Sequence, residues 1–292
     1  MIETIIQNHA VLLKDKVRMN AYKKAIFETV KEGDVVLDIG CGLGVLSFLA
    51  IKAGAKHVHA VEVEPYTLAL AKTIAKNNGL LDKITFHKAF STKLKLKEKV
   101  DVVVSEIFGN LGINENIVPV LIDARDRLLK PSGRIVPLKT SVWFSPCEHK
   151  DWQFTLDVLH DTEGFDMLPD DDTFDLGTPS VIIKNSELLA NPEKFADVDF
   201  SSAKDGSISH KAQFTVVRDA VLAGFAGWFE ASLTRSVSIA TNPSNLTTHW
   251  KQALLPLRTK QDVRAGQKIK LEVDISPDRS GLNSMLGYRY EL

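Results

Sequence analysis

A parallel, doubly wound α/β unit followed by an antiparallel β unit is the fold class this 292-residue sequence predicts. Three observations carry it. Strand-like and helix-like apolar periodicities alternate through residues 1–137. A stop-and-turn signal, Lys130-Pro-Ser-Gly133, closes that stretch. From Leu138 onward helical periodicity fades and β-rich runs replace it. Strands alternating with helices imply a parallel sheet wrapped on both faces, whereas consecutive strands imply antiparallel pairing.

In order, Val11 to Val30 is expected to be helical, because Met19, Tyr22, Ile26 and Val30 recur at helical spacing. Strand Val35–Ile39, helix Leu46–Ala53, strand His57–Glu62, helix Tyr66–Asn77 and strands Ile84–His87 and Val100–Ser105 follow. Next comes a helix with Ile117, Val120, Leu121, Ala124 and Leu128 on one face, then a strand at Arg134–Pro137. In the second unit, residues 138–292, strands are expected at Gln213–Val217, Ser232–Thr241, Gln252–Leu257 and Lys268–Ile275. The acidic stretch Asp157 to Asp199, with its run Asp170–Asp175, reads as a solvated surface.

Composition narrows the function classes. At 44% hydrophobic and 25% charged, the chain is that of an ordinary globular protein. A net charge of −1 and the lack of a long basic block give no field to draw nucleic acid or an anionic membrane. No apolar run is long enough to span a bilayer, and the N-terminus lacks a signal-peptide pattern. Two distant cysteines, Cys41 and Cys147, suggest neither a disulfide framework nor a metal site. A cytoplasmic location is the expectation.

The segment Val36-Leu-Asp-Ile-Gly-Cys-Gly-Leu-Gly44 sets three glycines between a buried strand and a helix. Glycines there let the main chain approach a ligand, and the helix start adds partial positive charge. The nicotinamide-dinucleotide pattern Gly-x-Gly-x-x-Gly fails in both registers, because its last position falls on Val45 or Ser47. Glu62 ends the second strand, where an acid can accept both hydroxyls of a ribose. With Asp38, Gly40, Gly42 and Gly44, this order resembles the class I methyltransferases. The resemblance implies S-adenosyl-L-methionine as cofactor, with S-adenosyl-L-homocysteine as product.

Two glutamates, Glu106 and Glu115, frame the loop after the apolar strand at Val102–Val104. Paired carboxylates suit a planar cation such as guanidinium. Three segments together resemble the protein arginine methyltransferases over nearly the whole chain: His9-Ala-Val-Leu-Leu-Lys-Asp-Lys-Val-Arg18, the Glu106/Glu115 loop, and Thr248-His-Trp-Lys-Gln252. Gly164-Phe-Asp-Met167 falls where that family carries a dimerisation arm.

The resemblance implies a Rossmann-like methyltransferase domain over 1–137 and a β-barrel-like domain over 138–292, with an arm near 151–179 that makes a homodimer. It places His9 and Arg18 over the cofactor, with Arg18 on its carboxylate, Gly40 along its backbone and Glu62 on its ribose. Glu106 and Glu115 then clamp the arginine of a protein or peptide substrate, beside an Asp15–His249 pair. Alternatives are the same fold methylating a small metabolite, such as free arginine or another amine, and a non-catalytic scaffold. The sequence departs from the family at several points. None of the eight residues before His9 in this sequence is aromatic, where the family carries an aromatic helix; the loop reads Ile107-Phe-Gly-Asn110, and Asn114 replaces a tyrosine. Leu12, Ile117 and Ser91 stand where methionines and an adenine-binding acid are usual.

Overall fold

Five parallel strands form the first sheet in the order β3-β2-β1-β4-β5 of a computed structural model that describes residues 2–168, 176–278 and 281–292. They are β1 (Val35–Ile39), β2 (His57–Glu62), β3 (Ile84–Lys88), β4 (Val100–Ser105) and β5 (Leu129–Val136). β1 and β4 lie inside the sheet and are buried almost throughout, which explains their unbroken apolar runs. Helices α3 (Val45–Lys52) and α4 (Pro65–Asn77) make the crossovers. Glu64 caps α4 by accepting from the Thr67 amide at 2.6 Å, with Pro65 opening its first turn.

The helix expected over Val11–Val30 is instead two, α1 (Ile2–Lys14) and α2 (Lys16–Thr29). Asp15 causes the break: its carboxylate accepts from the Arg18 amide at 3.0 Å as the N-cap of α2. An N-cap takes an extended backbone, so α1 must end there. The helix expected through Leu128 is α5 (Ile117–Asp123), which passes into a π-helical turn at Ala124–Leu128.

The antiparallel half has one sheet ordered β7-β12-β10-β6-β8, with β11 on β10, and another ordered β14-β13-β9. The strands are β6 (Lys139–Cys147), β7 (Ser180–Val181), β8 (Glu193–Asp199), β9 (Ile208–Thr215), β10 (Ala220–Ser232), β11 (Ser238–Ala240), β12 (Gln252–Val263), β13 (Lys268–Pro277) and β14 (Ser284–Glu291). Rings from both sheets meet in the interior: Phe144 with Phe195 at 5.0 Å, Phe195 stacked on Phe214 at 6.3 Å, and Phe214 against Phe225 at 6.3 Å. The strand expected at Ser232–Thr241 is interrupted: Ser232 ends β10, and after a turn the chain re-forms strand as β11.

Between β6 and β7 lies α6 (Lys150–His160). Leu156 is buried on its own sheet, and Trp152 donates from Nε1 to the Leu257 carbonyl at 3.1 Å. Trp152 and Leu156 thus face inward, while Phe154 and Phe165 stand 68% and 69% exposed. The acidic run Asp170–Asp175 lies outside the described residues. Among those described, no helix is long and apolar enough to cross a membrane.

An aromatic seam joins the halves. Phe108, from the loop after β4, packs on Phe229 of β10 at 5.0 Å, and Trp250 stands edge-on to Phe229 at 5.2 Å. The Trp250 Nε1–H donates to the Phe108 carbonyl at 2.8 Å. Phe229→Ala is expected to cost about 3–5 kcal/mol in urea unfolding, through a cavity at a fully buried ring.

Candidate active site

The glycine turn forms the floor of the site. Gly40, Gly42 and Gly44 have φ of 70°, 53° and 91°, which side chains with a Cβ adopt only with strain. A Cβ on Gly40 would lie 2.5 Å from Ile107 Cγ2, and one on Gly42 would lie 2.7 Å from His9 Cε1. The bare backbone therefore fits between the glutamate loop and α1. It borders a cavity of about 260 Å³ that also touches His9, Arg18, Glu62, Glu106 and Glu115.

Glu62 is held by main-chain donors: Gly42 N–H at 3.1 Å to Oε2, and Val63 and Glu64 N–H at 2.8 and 3.0 Å to Oε1. Its carboxylate is thus fixed at the cavity wall. Two expected cofactor residues sit outside that wall. Asp38 is buried beneath the turn, where its Oδ2 accepts from Ser47 Oγ at 2.6 Å and its Oδ1 has no partner. Burial lifts its carboxyl to about 6, despite the Ser47 bonds. Gly44 serves as the left-handed cap of α3. Both shape the turn from behind rather than facing the cavity. His9 does line the cavity, and burial holds its imidazole below the usual range, against the pull of Glu62.

Arg18 lines the cavity and also has a partner within the chain. Its Nε donates to Glu106 Oε2 at 2.6 Å, its Nη2 pairs with the same oxygen, and its Nη1 donates to the Leu12 carbonyl at 3.3 Å. The guanidinium faces Glu106, and both side chains are under a tenth exposed. Glu106 therefore already grips one guanidinium, the chain's own.

The glutamates emerge from a fixed point. Tyr22 Oη donates to the Ser105 carbonyl at 3.0 Å, and Ser105 Oγ donates to the Ile39 carbonyl at 2.9 Å. Both carboxylates line the first cavity and an adjoining one of about 270 Å³ walled by Leu12, Asn110, Ser180, His249 and Trp250. Burial raises the Glu106 carboxyl above the usual range, with Arg18 opposing it. Burial alone raises Glu115, whose side chain still reaches solvent through the cavity mouth.

The structure brings Asp15 and His249 together. Asp15 Oδ2 accepts from His249 Nδ1 at 2.8 Å and from the His249 amide at 2.9 Å. Burial pulls the Asp15 carboxyl upward, but bonds from the Arg18 and His249 amides and the imidazole outweigh it and hold it below normal. A depressed carboxyl stabilises the fold above its unfolded pKa and loses that contribution as pH falls through the folded value. Asp15→Asn should therefore cost stability at neutral pH, and the gap to the parent should close under acid; thermal melts across pH 2–7 measure this.

Sequence reasoning noted Asn110 and Asn114 only as departures from the family, without a role, and missed Leu282 and Ser284. Leu282, from the β13–β14 hairpin, reaches the cofactor-side cavity. Turn-forming neighbours, Gly109, Gly112 and Gly281, were the only local signal. Of the residues that depart from the family, Leu12 and Ser91 line the cavity, whereas Ile117 is fully buried. Among the described residues, no group of His, Cys, Asp or Glu is placed to hold a metal ion.

A glycine turn, a fixed acid and a carboxylate pair thus surround one crevice. The comparisons are specific. The family described as "Arginine methyltransferase oligomerization subdomain" matches residues 139–291, and "Ribosomal protein L11 methyltransferase" matches 21–141. Protein arginine N-methyltransferase 6 of Xenopus tropicalis is 31% identical over 92% of this chain and 83% of its own. Protein arginine N-methyltransferase 1 of Saccharomyces cerevisiae is 30% identical over 97% of this chain and 85% of its own. In fold, the chain matches a structure of the Trypanosoma brucei PRMT1 enzyme-prozyme heterotetrameric complex with AdoHcy. That match has a TM-score of 0.83 at 24% identity and covers 97% of this chain and 92% of that one. The chain belongs to the protein arginine N-methyltransferase family.

Proposed function

We propose that the protein transfers a methyl group from S-adenosylmethionine to a guanidinium nitrogen of arginine in a protein or peptide. The observation that carries this is the sharing of one cavity by the glycine turn, Glu62, Arg18 and both glutamates. The residues fit the cofactor: Gly40 and Gly42 present bare backbone at the cavity floor, where a Cβ would strike Ile107 and His9, Glu62 offers a fixed acceptor for ribose, and Arg18, which lines the cavity while bonded to Glu106, offers a cation for a carboxylate. When bound, the cofactor supplies a sulfonium-activated methyl group.

The chain's own residues do the rest. A guanidinium stays protonated below pH about 12, and its delocalised lone pairs make it a poor nucleophile. Glu115, and the lone pairs of Glu106 left over from its bonds to Arg18 and the Phe108 amide, accept from it, fix its plane and draw positive charge onto the held nitrogens. Holding two reactants in line supplies roughly 7–11 kcal/mol of a barrier. Methylation leaves the product guanidinium cationic, so one proton must depart. Glu115, with its raised carboxyl and its access to solvent, takes that proton and releases it. Asp15, held anionic, orients the His249 ring at the rim of the second cavity.

Incubating the protein with radiolabelled cofactor and, separately, arginine peptides, cell extract and free arginine tests this. Label is expected on peptide arginine; label on free arginine alone would move the substrate to a small metabolite. Gly42→Ala should weaken AdoHcy binding at least about tenfold by calorimetry, because backbone strain of about 1–3 kcal/mol adds to contact with His9.

Self-association belongs to the same proposal. The oligomerization subdomain model covers the second half, and Phe154 and Phe165 project from the arm. Large exposed rings on one segment mark a contact surface. A homodimer is expected in sedimentation, and Phe154→Ser with Phe165→Ser should yield monomer.

A further inference from the structure

Glu106 and Glu115 are held in different ways. Glu106 is anchored through its side chain by Arg18 and by the Phe108 amide at 3.3 Å. Glu115 has no side-chain hydrogen bond or ion pair among the described residues. Its position is therefore set by the backbone that carries it, and the residue immediately before it is unusually constrained.

Asn114 Oδ1 accepts from the Leu111 amide at 3.1 Å, closing the loop on itself. Asn114 Nδ2 donates to Asn110 Oδ1 at 3.0 Å. Asn110 Nδ2 in turn donates to the Thr178 carbonyl at 2.9 Å and to Ser180 Oγ at 3.0 Å, on β7 and the segment leading into it. On the other flank, the Asn114 carbonyl accepts from the Ser284 amide at 3.0 Å, and Ser284 Oγ donates to the Ile113 carbonyl at 3.1 Å. The loop is tied from both sides to the antiparallel half. Gly109 packs so closely on the Asn114 carboxamide that a Cβ there would collide with it.

We propose that Asn114 is the positioning residue for Glu115, fixing the second arm of the clamp through the Asn110 carboxamide bridge to residues 178–180 and the Ser284 tie. This rests on the arginine-methylation proposal for the identity of the substrate, but the geometry concerns the carboxylate alone. Asn114 touches neither reactant in this scheme. It acts by fixing the backbone beneath a carboxylate that has no side-chain partner of its own among the described residues, in a site where a misplacement of about 1 Å can cost 100-fold in rate.

The test is a double-mutant cycle with an independent structural readout. Asn114→Ala is expected to lower kcat about 100-fold on an arginine peptide while AdoHcy affinity stays within about twofold. In a Glu115→Gln background the same change should cost less than about twofold, because a residue acting through Glu115 has nothing left to act on. Gly109→Ala, which displaces the carboxamide without removing it, should reproduce the kcat loss and serves if Asn114→Ala does not fold. Carboxyl NMR should show the raised Glu115 pKa falling toward the ordinary range in either variant, whether or not the parent transfers methyl groups. Equal losses in both backgrounds, or an unmoved Glu115 titration, overturn the inference. A parent that titrates as expected but methylates no arginine overturns the functional proposal instead.

Discussion

Glu115→Gln is expected to lower methyl transfer by about two to three orders of magnitude, the usual cost of removing one preorganised electrostatic contact to a reacting group. Cofactor binding should survive, because the glycine turn and Glu62 are built without Glu115. The same change should stabilise the fold. Burial raises the Glu115 carboxyl, so the folded state prefers it neutral. A raised carboxyl contributes stability below its unfolded pKa and loses it as pH rises through the folded value. At neutral pH the parent bears a cost for that charge, reduced by the solvent its exposed side chain reaches, and glutamine does not. Denaturant midpoints near pH 7 should therefore rise as activity collapses, and they should converge with the parent below pH about 4. The acid limb of the parent's kcat/KM profile should lie above the ordinary glutamate range and vanish in the variant. Lower stability together with near-native turnover would show that Glu115 is a structural acid outside the chemistry.

Arg18→Met is expected to be the most destabilising change at the site. Its guanidinium and the Glu106 carboxylate are both buried, and removing one partner of such a pair costs about 3–5 kcal/mol. With Arg18 gone, only His249 and the Phe108 amide oppose the burial that already raises Glu106. The deficit should therefore be smallest in acid, where Glu106 is protonated, and should grow as pH rises. Arg18→Met combined with Glu106→Gln should recover much of the loss, since the buried charge leaves with its partner. AdoHcy affinity should fall in both variants if Arg18 also meets the cofactor carboxylate. Calorimetry separates that effect from stability.

Much of the parallel sheet was legible because β1, β2 and β4 are short, apolar and bounded by glycine or acid. The antiparallel half was harder. β6 is buried on nearly every residue, so it shows no alternation, and β10 reads as an apolar run until its partners are known. The single helix expected at Val11–Val30 failed at Asp15, where a cap overrode the periodicity. At the site, residues of charged or glycine type announced themselves through local spacing. Those that hold them in place did not: Trp250 reaches Phe108 across 142 positions, and Ser284 reaches Ile113 across 171. Such couplings leave no mark on a local window.

The ring cluster between Phe108, Phe229 and Trp250 bears on how the chain could be divided. A fragment ending near Val136 would retain every strand of the parallel sheet and both glutamates, yet would lack the indole and the β10 ring that brace the segment carrying them. Its crevice for the donor could persist while its grip on an acceptor slackened. In this chain, the downstream half acts as a mould in which the upstream half's working loop is cast.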